Sequence, residues 1–226
     1  MSTAVRRSLR DAVFGSQDGL ISTLGALTGI AAGTQDGRAV VIAGCVIVVV
    51  ESLSMSAGSY LSSKAHREYL QRLLREEEEA IANNPEEERR ELWAMYRARG
   101  YTDEEIRILE RRLFSDPKLL LEDMAHKALG IYPHAFGDVE GNAFVMGSAY
   151  VIGGLVPVVP YLFWPIALAM PVSIIATCAA LFGFGGIKGR LVKQSWWRSG
   201  LEMLTVAGLA GIAGFFVGRV TGIIIE

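Results

Sequence analysis

The chain has 226 residues, 51% of them hydrophobic, and a mean hydropathy of +0.32. A soluble domain of this length rarely averages so apolar, so composition directs the reading to a membrane protein. The formal net charge of −2 and the pattern of cations, which sit at the edges of apolar runs or alternate with acids, exclude a nucleic-acid partner.

The charge is unevenly spread. Residues 63–133 hold sixteen of the 24 acids and thirteen Lys and Arg, while the flanks are almost uncharged. The predicted domains are therefore a transmembrane segment over 1–62, a charged helical insert over 63–133, and a second transmembrane segment over 134–226. Cys45 and Cys178 each lie inside an apolar run and read as packing residues, not as a disulfide or a zinc ribbon. Arg6, Arg7 and Arg10 suit the start of a signal peptide, but the apolar stretch after them contains Gln17 and Asp18 and has no small-residue cleavage site. It reads as a retained helix.

A hydrocarbon layer of roughly 30 Å needs about 20 mostly apolar residues per helix. The first predicted span runs from about Asp11 to Ala32 and ends at Gly33 and Thr34-Gln35-Asp36-Gly37. The second begins near Arg38. No proline interrupts residues 39–82, so it is expected to leave the membrane and continue as a charged helix toward Asn83-Asn84-Pro85. In the insert, Glu86 to Arg99 forms one helix. Thr102-Asp-Glu-Glu105 is a capping box opening the next, which ends near Phe114. Asp116-Pro117 opens a third, running to Ala128 and closed by Gly130. Leu92, Met95, Tyr96, Ile106, Leu109, Leu113 and Leu120 are the expected insert core.

Asn142 to Val156 is the third predicted span, with Pro157, Pro160 and Pro165 making a tight apolar return. Ile166 to Ile187 is the fourth and Leu201 to Ile225 the fifth. Tyr161, Phe163 and Trp164 at one boundary and Trp196 and Trp197 at the other suit an aromatic belt. The fold class expected is all-α, a polytopic membrane protein of five transmembrane helices with the insert between the second and third. Short-loop cations (Arg6, Arg7, Arg10, Lys64, Arg67, Lys127, Lys188, Arg190, Lys193, Arg198) fall on one side, against Arg38 on the other. The positive-inside rule places the N-terminus and the insert in the cytosol and the C-terminus outside. Arg219, inside the last span, has to snorkel or find a partner.

Asp18 lies midway along an apolar helix, flanked by Gly15 and Gly19. A charge there costs about 2.5–3.5 kcal/mol on insertion scales, so it is expected to face a cavity, a partner or a pathway; the plainer reading is a structural carboxylate bonded to Ser or backbone. Glu51 and Met55 share a helical face at i, i+4. A carboxylate beside a thioether suits Fe2+ or Mn2+, with sulfur discouraging Mg2+ and Ca2+; alternatively Met55 is core filler. Glu76 and Glu79, then Glu88 and Glu91, are i, i+3 pairs on either side of Pro85, so helices crossing there could gather four carboxylates. Asp123 and His126 repeat that spacing with Met124 between them. Glutamates mixed with arginines more often form a solvated face. Glycines at 15 and 19, at 25, 29 and 33, and at 214, 218 and 222 permit close helix packing, inside one chain or between two. There is no P-loop, G-x-S-x-G, H-E-x-x-H or dinucleotide fingerprint, and no enzyme is expected.

Three segments carry a family resemblance. Phe14-Gly-Ser-Gln-Asp18-Gly-Leu-Ile-Ser22 resembles the first-helix motif of the vacuolar iron transporter family. Ser54-Met55-Ser-Ala-Gly-Ser-Tyr60-Leu61 is similar to its second-helix motif, and Gly153-Gly-Leu-Val-Pro157-Val-Val-Pro160-Tyr161 to its third-to-fourth hairpin. The resemblance implies a five-helix homodimer in a lipid bilayer with a cytosolic metal-binding domain. Its members exchange Fe2+, with Mn2+ as an alternative cargo, for protons, and need no permanent cofactor. Asp18 and Met55 match the family's pathway residues, and Glu76, Glu79, Glu88, Glu91 and Met124 match its cytosolic metal ligands. The pathway glutamate of the second helix would fall at Ile47, with Glu51 one turn later as its stand-in. Two further cluster ligands would fall at Ala125 and Ala128, with Asp123 and His126 as candidate substitutes. The function expected is metal transport out of the cytosol by proton-coupled antiport, across the plasma membrane in a cell without vacuoles and a vacuolar-type membrane otherwise. Its rival is a membrane-anchored metal buffer or sensor that transports nothing; an intramembrane enzyme ranks below both.

Overall fold

A computed structural model describes residues 3–34, 36–127, 130, 131 and 138–225. The side chains of residues 3–7, 206, 210, 219 and 221–225 lie outside that description, including those of Arg6, Arg7 and Arg219. Every described element is a helix. In chain order they are α1 (Thr3–Thr34), α2 (Gly37–Asn83), α3 (Pro85–Ala98), α4 (Asp103–Leu113), α5 (Pro117–Lys127), α6 (Val139–Phe163), α7 (Ile166–Leu191) and α8 (Trp196–Ile225). The chain divides into two compact units, one of residues 1–60 with 138–226 and one of residues 61–137.

Among the described residues, α2, α6, α7 and α8 are long and apolar enough to cross a membrane. The chain is an integral membrane protein. α1 has the length, at 32 residues, but Gln17, Asp18 and its serines, threonines and glycines dilute its apolar content. It compensates by burial, packing against α6, α7 and α8. Leu20, Leu24, Leu27 and Ala31, spaced as one helical stripe, are at most 3% exposed.

Glycine sets how closely α1 is approached, and the contacts fix the direction of each helix. A methyl group on Gly15 would strike the Met146 carbonyl and one on Gly19 the Tyr150 carbonyl. Residue numbers rise together, so α1 and α6 run parallel. Gly25 and Gly29 meet Gly214, and Gly29 and Gly33 meet Gly218, so α8 runs parallel to α1 as well. α2 runs the other way. Val40, Gly44, Val48, Ser52 and Ser56, each four apart, form its inward stripe, with Gly44 against Val158 and Ser52 against Gly147; the Ser56 hydroxyl donates to the Ala143 carbonyl at 2.9 Å. α7 opposes α8, Gly185 meeting Gly200 and Gly189 meeting Trp196.

The glycines at 15, 19, 25, 29, 33, 214 and 218 therefore find their close contacts within one chain, while the contacts of Gly222 lie outside the described residues. Both cores of this unit depend on that intimacy. Leu27, Val40, Val48, Val158 and Ala169 form one, and Leu20, Leu181, Met203 and Ala207 the other.

The expected return at Pro157 and Pro160 is a correction. α6 continues through both to Phe163, and the chain turns at Trp164-Pro165. Each proline removes the donor to the carbonyl four residues back, here those of Gly153 and Val156, but its fixed φ is helical and packing against neighbouring helices lets a membrane helix pass through it. Beyond the first proline the helix is tied to α7, where the Ser173 hydroxyl donates to the Pro157 carbonyl at 2.8 Å, and Trp164 N–H closes the last turn on the Pro160 carbonyl at 3.1 Å. The fourth and fifth predicted spans were also too short at their junction. α7 reaches Leu191 and α8 starts at Trp196 because Gly185, Gly189 and Gly200 keep the two helices in contact up to the turn.

The unit of residues 61–137 has its own core of Leu92, Tyr96, Ile106, Leu113, Leu120 and Met124, with Ile81 packed against it. The capping box forms as expected: Thr102 accepts from Glu105 N–H, and the Glu105 carboxylate accepts from Thr102 N–H at 2.8 Å. Glu110 ties α3 to α4, pairing with Arg89 and accepting from Trp93 Nε1 at 3.0 Å. Tyr96 ties α3 to α5, donating to Asp123 at 2.8 Å.

Candidate functional site

Two groups of candidate residues are assembled, one in each unit. In the first, the close approach at Gly15 and Gly19 sets Asp18 on the flank of the α1–α6 contact, half-buried. Glu51 of α2 lies close enough for the two carboxylates to repel each other, and both also lie within electrostatic range of the Tyr150 hydroxyl. Ser22, one turn beyond Asp18, donates to the Asp18 carbonyl at 2.7 Å. Its oxygen then accepts from the Tyr150 hydroxyl at 2.6 Å, and Tyr150 is fully buried. The Ser22–Tyr150 bond pins α1 to α6 at the level of Asp18. Met55, half-buried, follows Glu51 by one turn on the face next to the inward stripe of α2, while Glu51 itself is exposed in the single chain.

Such an arrangement offers two carboxyl groups from different helices and a buried phenol, with a thioether one turn along α2 from Glu51. Asp18 and Glu51 were expected from sequence. Tyr150 was not, because a tyrosine in an apolar helix is ordinary; the only hint was its fit opposite the small residues of α1.

In the second unit, the break at Asn84-Pro85 turns α3 back against the end of α2. Ile81 packs into the insert core and Leu92 is fully buried. The residues one turn before them, Glu77 and Glu88, share those inward faces. Glu88 is 6% exposed. Glu77 Oε1 and Glu88 Oε2 are buried without a protein hydrogen-bond partner. Burial, and then the charges of Glu88 and Glu91, push the Glu77 carboxyl up to about 7. Burial first, followed by Glu91 and Glu87, raises Glu88 as well. Met124 lies fully buried in the same core.

Glu76 and Glu79 are exposed, and Glu76 pairs with Arg72 at 3.0 Å. The residue of α2 that meets Glu88 and Glu91 is thus Glu77, which spacing alone did not single out. Asp123 is held by Tyr96 and Lys127, and His126 is exposed. Ala128 lies outside the described residues. Among the described residues, no three His, Cys, Asp or Glu side chains already converge as a ligand set for a metal ion.

Long apolar helices carrying carboxylates, joined to a charged helical insert, define a polytopic α-helical membrane protein. Residues 9–219 match the model of the VIT family, and the chain belongs to that family. It is 33% identical over 208 residues to Vacuolar iron transporter 2 of Oryza sativa subsp. japonica, covering 92% of this chain and 85% of that protein. It is 29% identical to Vacuolar iron transporter 1 of Arabidopsis thaliana over 94% of this chain and 85% of the relative. Protein CCC1 of Saccharomyces cerevisiae is 29% identical over 93% of this chain and 68% of its own length.

Proposed function

We propose that this protein carries Fe2+, with Mn2+ as a second cargo, out of the cytosol in exchange for protons, through a pathway formed by Asp18, Glu51 and Met55. The observation that carries the reading is the approach of half-buried Asp18 of α1 and exposed Glu51 of α2 to within electrostatic range in the apolar part of the chain. Neither would be kept there for anchorage, since each costs insertion energy. Iron is the cargo because the relatives are named vacuolar iron transporters. Oxygen ligands with one sulfur also suit a divalent transition metal better than Mg2+ or Ca2+. Metal and proton compete for the same carboxylate lone pairs, which is the chemical basis for antiport.

Five membrane passes are the topology, supported by helix direction: α1, α6 and α8 run one way and α2 and α7 the other. With the basic loops inside, the N-terminus and insert are cytosolic and the C-terminus is outside. The membrane is the plasma membrane in a cell without vacuoles and a vacuolar-type membrane otherwise. The active form is a homodimer. The described stripe glycines of α1 and α8 are occupied within the chain, whereas α2 leaves Ile42, Val46, Val50 and Leu53 more than half exposed beside the exposed Glu51. A second α2 would cover that carboxylate where lipid could not.

In the insert, Glu88, Glu91 and Met124 gather the metal with Glu77, while Glu76, Glu79, Asp123 and His126 form the outer part of the ligand set. The rival reading, a buffer or sensor, draws on the same orphaned oxygens of Glu77 and Glu88, which bind metal whether or not anything is transported. Proteoliposomes separate the two. Asp18→Asn is expected to abolish Fe2+ flux and the accompanying proton movement while the protein stays folded. Undiminished flux sinks the carrier.

A further inference from the structure

We propose that the cavity between the first turns of α1 and the last turn of α7 is a binding site for one anionic phospholipid. The cavity measures about 700 Å³. Its polar lining is Arg10, Lys188 and Gln17, and its walls include Val13, Phe14 and Leu191. Among the described residues, no carboxylate lines it.

The polarity is graded along one direction. Arg10 precedes Gln17 by two helical turns, about 10 Å along α1, and Val13 and Phe14 fill the interval. Lys188 comes from the last turn of α7, and Leu191 and Val192, about one turn further on, are exposed and apolar. A cationic mouth over an apolar wall, at the edge of a bundle whose helices are long enough to cross a bilayer, matches a lipid phosphate with its acyl chain. Trp196 and Trp197, both exposed at the start of α8, mark that edge as the interfacial layer. Basic pockets between membrane helices recognise anionic headgroups in this way.

Alternative occupants fit less well. A free phosphate has no use for Val13, Phe14 and Leu191. A zwitterionic headgroup would bring its own cation against Arg10 and Lys188. Among the described residues, Lys188 pairs with Glu202, whose carboxylate is 3.8 Å away and 69% exposed. A pair that long and that open is weak, so Lys188 is available to a phosphate. Arg190 and Lys193 are exposed cations of the same turn that do not line the cavity, and they provide the internal control.

The test uses the full chain, purified in detergent and examined by native mass spectrometry after mixing with phosphatidylglycerol or phosphatidylcholine. One phosphatidylglycerol per chain is expected to be retained in preference to phosphatidylcholine. Arg10→Gln and Lys188→Gln should each weaken retention about fivefold, the effect of removing one cation from an anionic headgroup. Arg190→Gln and Lys193→Gln should leave it unchanged. Raising salt on the wild-type protein should release phosphatidylglycerol selectively, a readout that needs no variant. Equal retention of the two lipids, an equal loss in Arg190→Gln, or displacement of the lipid by millimolar inorganic phosphate would each overturn the assignment.

Discussion

Glu77 and Glu88 face each other across the Asn83-Asn84-Pro85 break, each with one buried oxygen that no protein donor reaches. The Glu77 carboxyl is raised from 4.5 to about 7, so the folded insert holds a proton that the unfolded chain releases near 4.5. Stability is therefore full below pH 4.5, falls as pH rises toward 7, and carries the whole penalty above it. On the proposed function, a divalent cation bound by this pair would reverse the penalty by replacing the proton. Thermal unfolding of the full chain in metal-free buffer should fall between pH 5 and 8, and Glu77→Gln should flatten that fall, raising the midpoint at pH 8 by about 2–4 °C. Metal affinity of the wild type should weaken about tenfold for each pH unit below 7, as for displacement of one proton. A Glu77→Gln protein with an unchanged pH profile would show that the carboxylates do not interact.

The proposed pathway makes a prediction about register on α2. Glu51 follows Ile47 by one turn on the same face, and both precede Met55 on that line. Glu51→Gln is expected to lower Fe2+ flux into proteoliposomes by at least about tenfold, a loss of roughly 1.4 kcal/mol. Adding Ile47→Glu to that variant should recover part of the flux, because the carboxylate returns to the same face 6 Å away along the axis. Recovery by a glutamate placed at Val50 instead, on another face, would locate the path elsewhere.

Much of the architecture was legible because period and punctuation agree along the chain. The charged insert, the Thr102–Glu105 cap and the uninterrupted second helix follow from local chemistry that tertiary contacts leave alone. The proline return failed because its outcome depended on packing from elsewhere: Pro157 and Pro160 are buried within α6, and Ser173 of α7 bonds the Pro157 carbonyl. Glu77 was missed for a related reason. An i, i+3 spacing says that two glutamates share a face, but not which face turns inward; Ile81 and Leu92, each one turn past a glutamate, decide that. The glycines announced close packing without naming a partner. Only the pairing of Gly29 with Gly214 and Gly218 assigns it to the α1–α8 contact.

That contact can be tested against a glycine with nothing opposite it. A side chain on Gly218 would meet the backbone of Gly29, and backbone cannot move aside. Gly218→Val is expected to cost about 1–3 kcal/mol through overpacking. A methyl at Gly183, also within a helix, meets nothing within 4 Å, so Gly183→Ala should stabilise by up to about 1 kcal/mol. Thermal unfolding in detergent reads both. Equal midpoints for the two variants would contradict the parallel α1–α8 packing.

Asp123 presents the sharpest choice within the insert. Its carboxylate is occupied by the Tyr96 hydroxyl and the Lys127 ammonium, an arrangement that fixes α5, and Met124 with it, against α3. To act as a metal ligand it has to exchange Lys127 for the incoming cation. The ammonium is then a built-in competitor, and like charges near the metal weaken binding further. Lys127→Gln removes both effects and is expected to tighten Fe2+ or Mn2+ binding to the full chain several-fold, while costing about 1.5–3 kcal/mol of stability for the lost charged hydrogen bond. Adding Asp123→Asn should cancel the gain in affinity and leave the stability loss. Unchanged affinity in Lys127→Gln, with the stability loss present, would make Asp123 a strut between α3 and α5 and leave the ligand set to the glutamates and Met124.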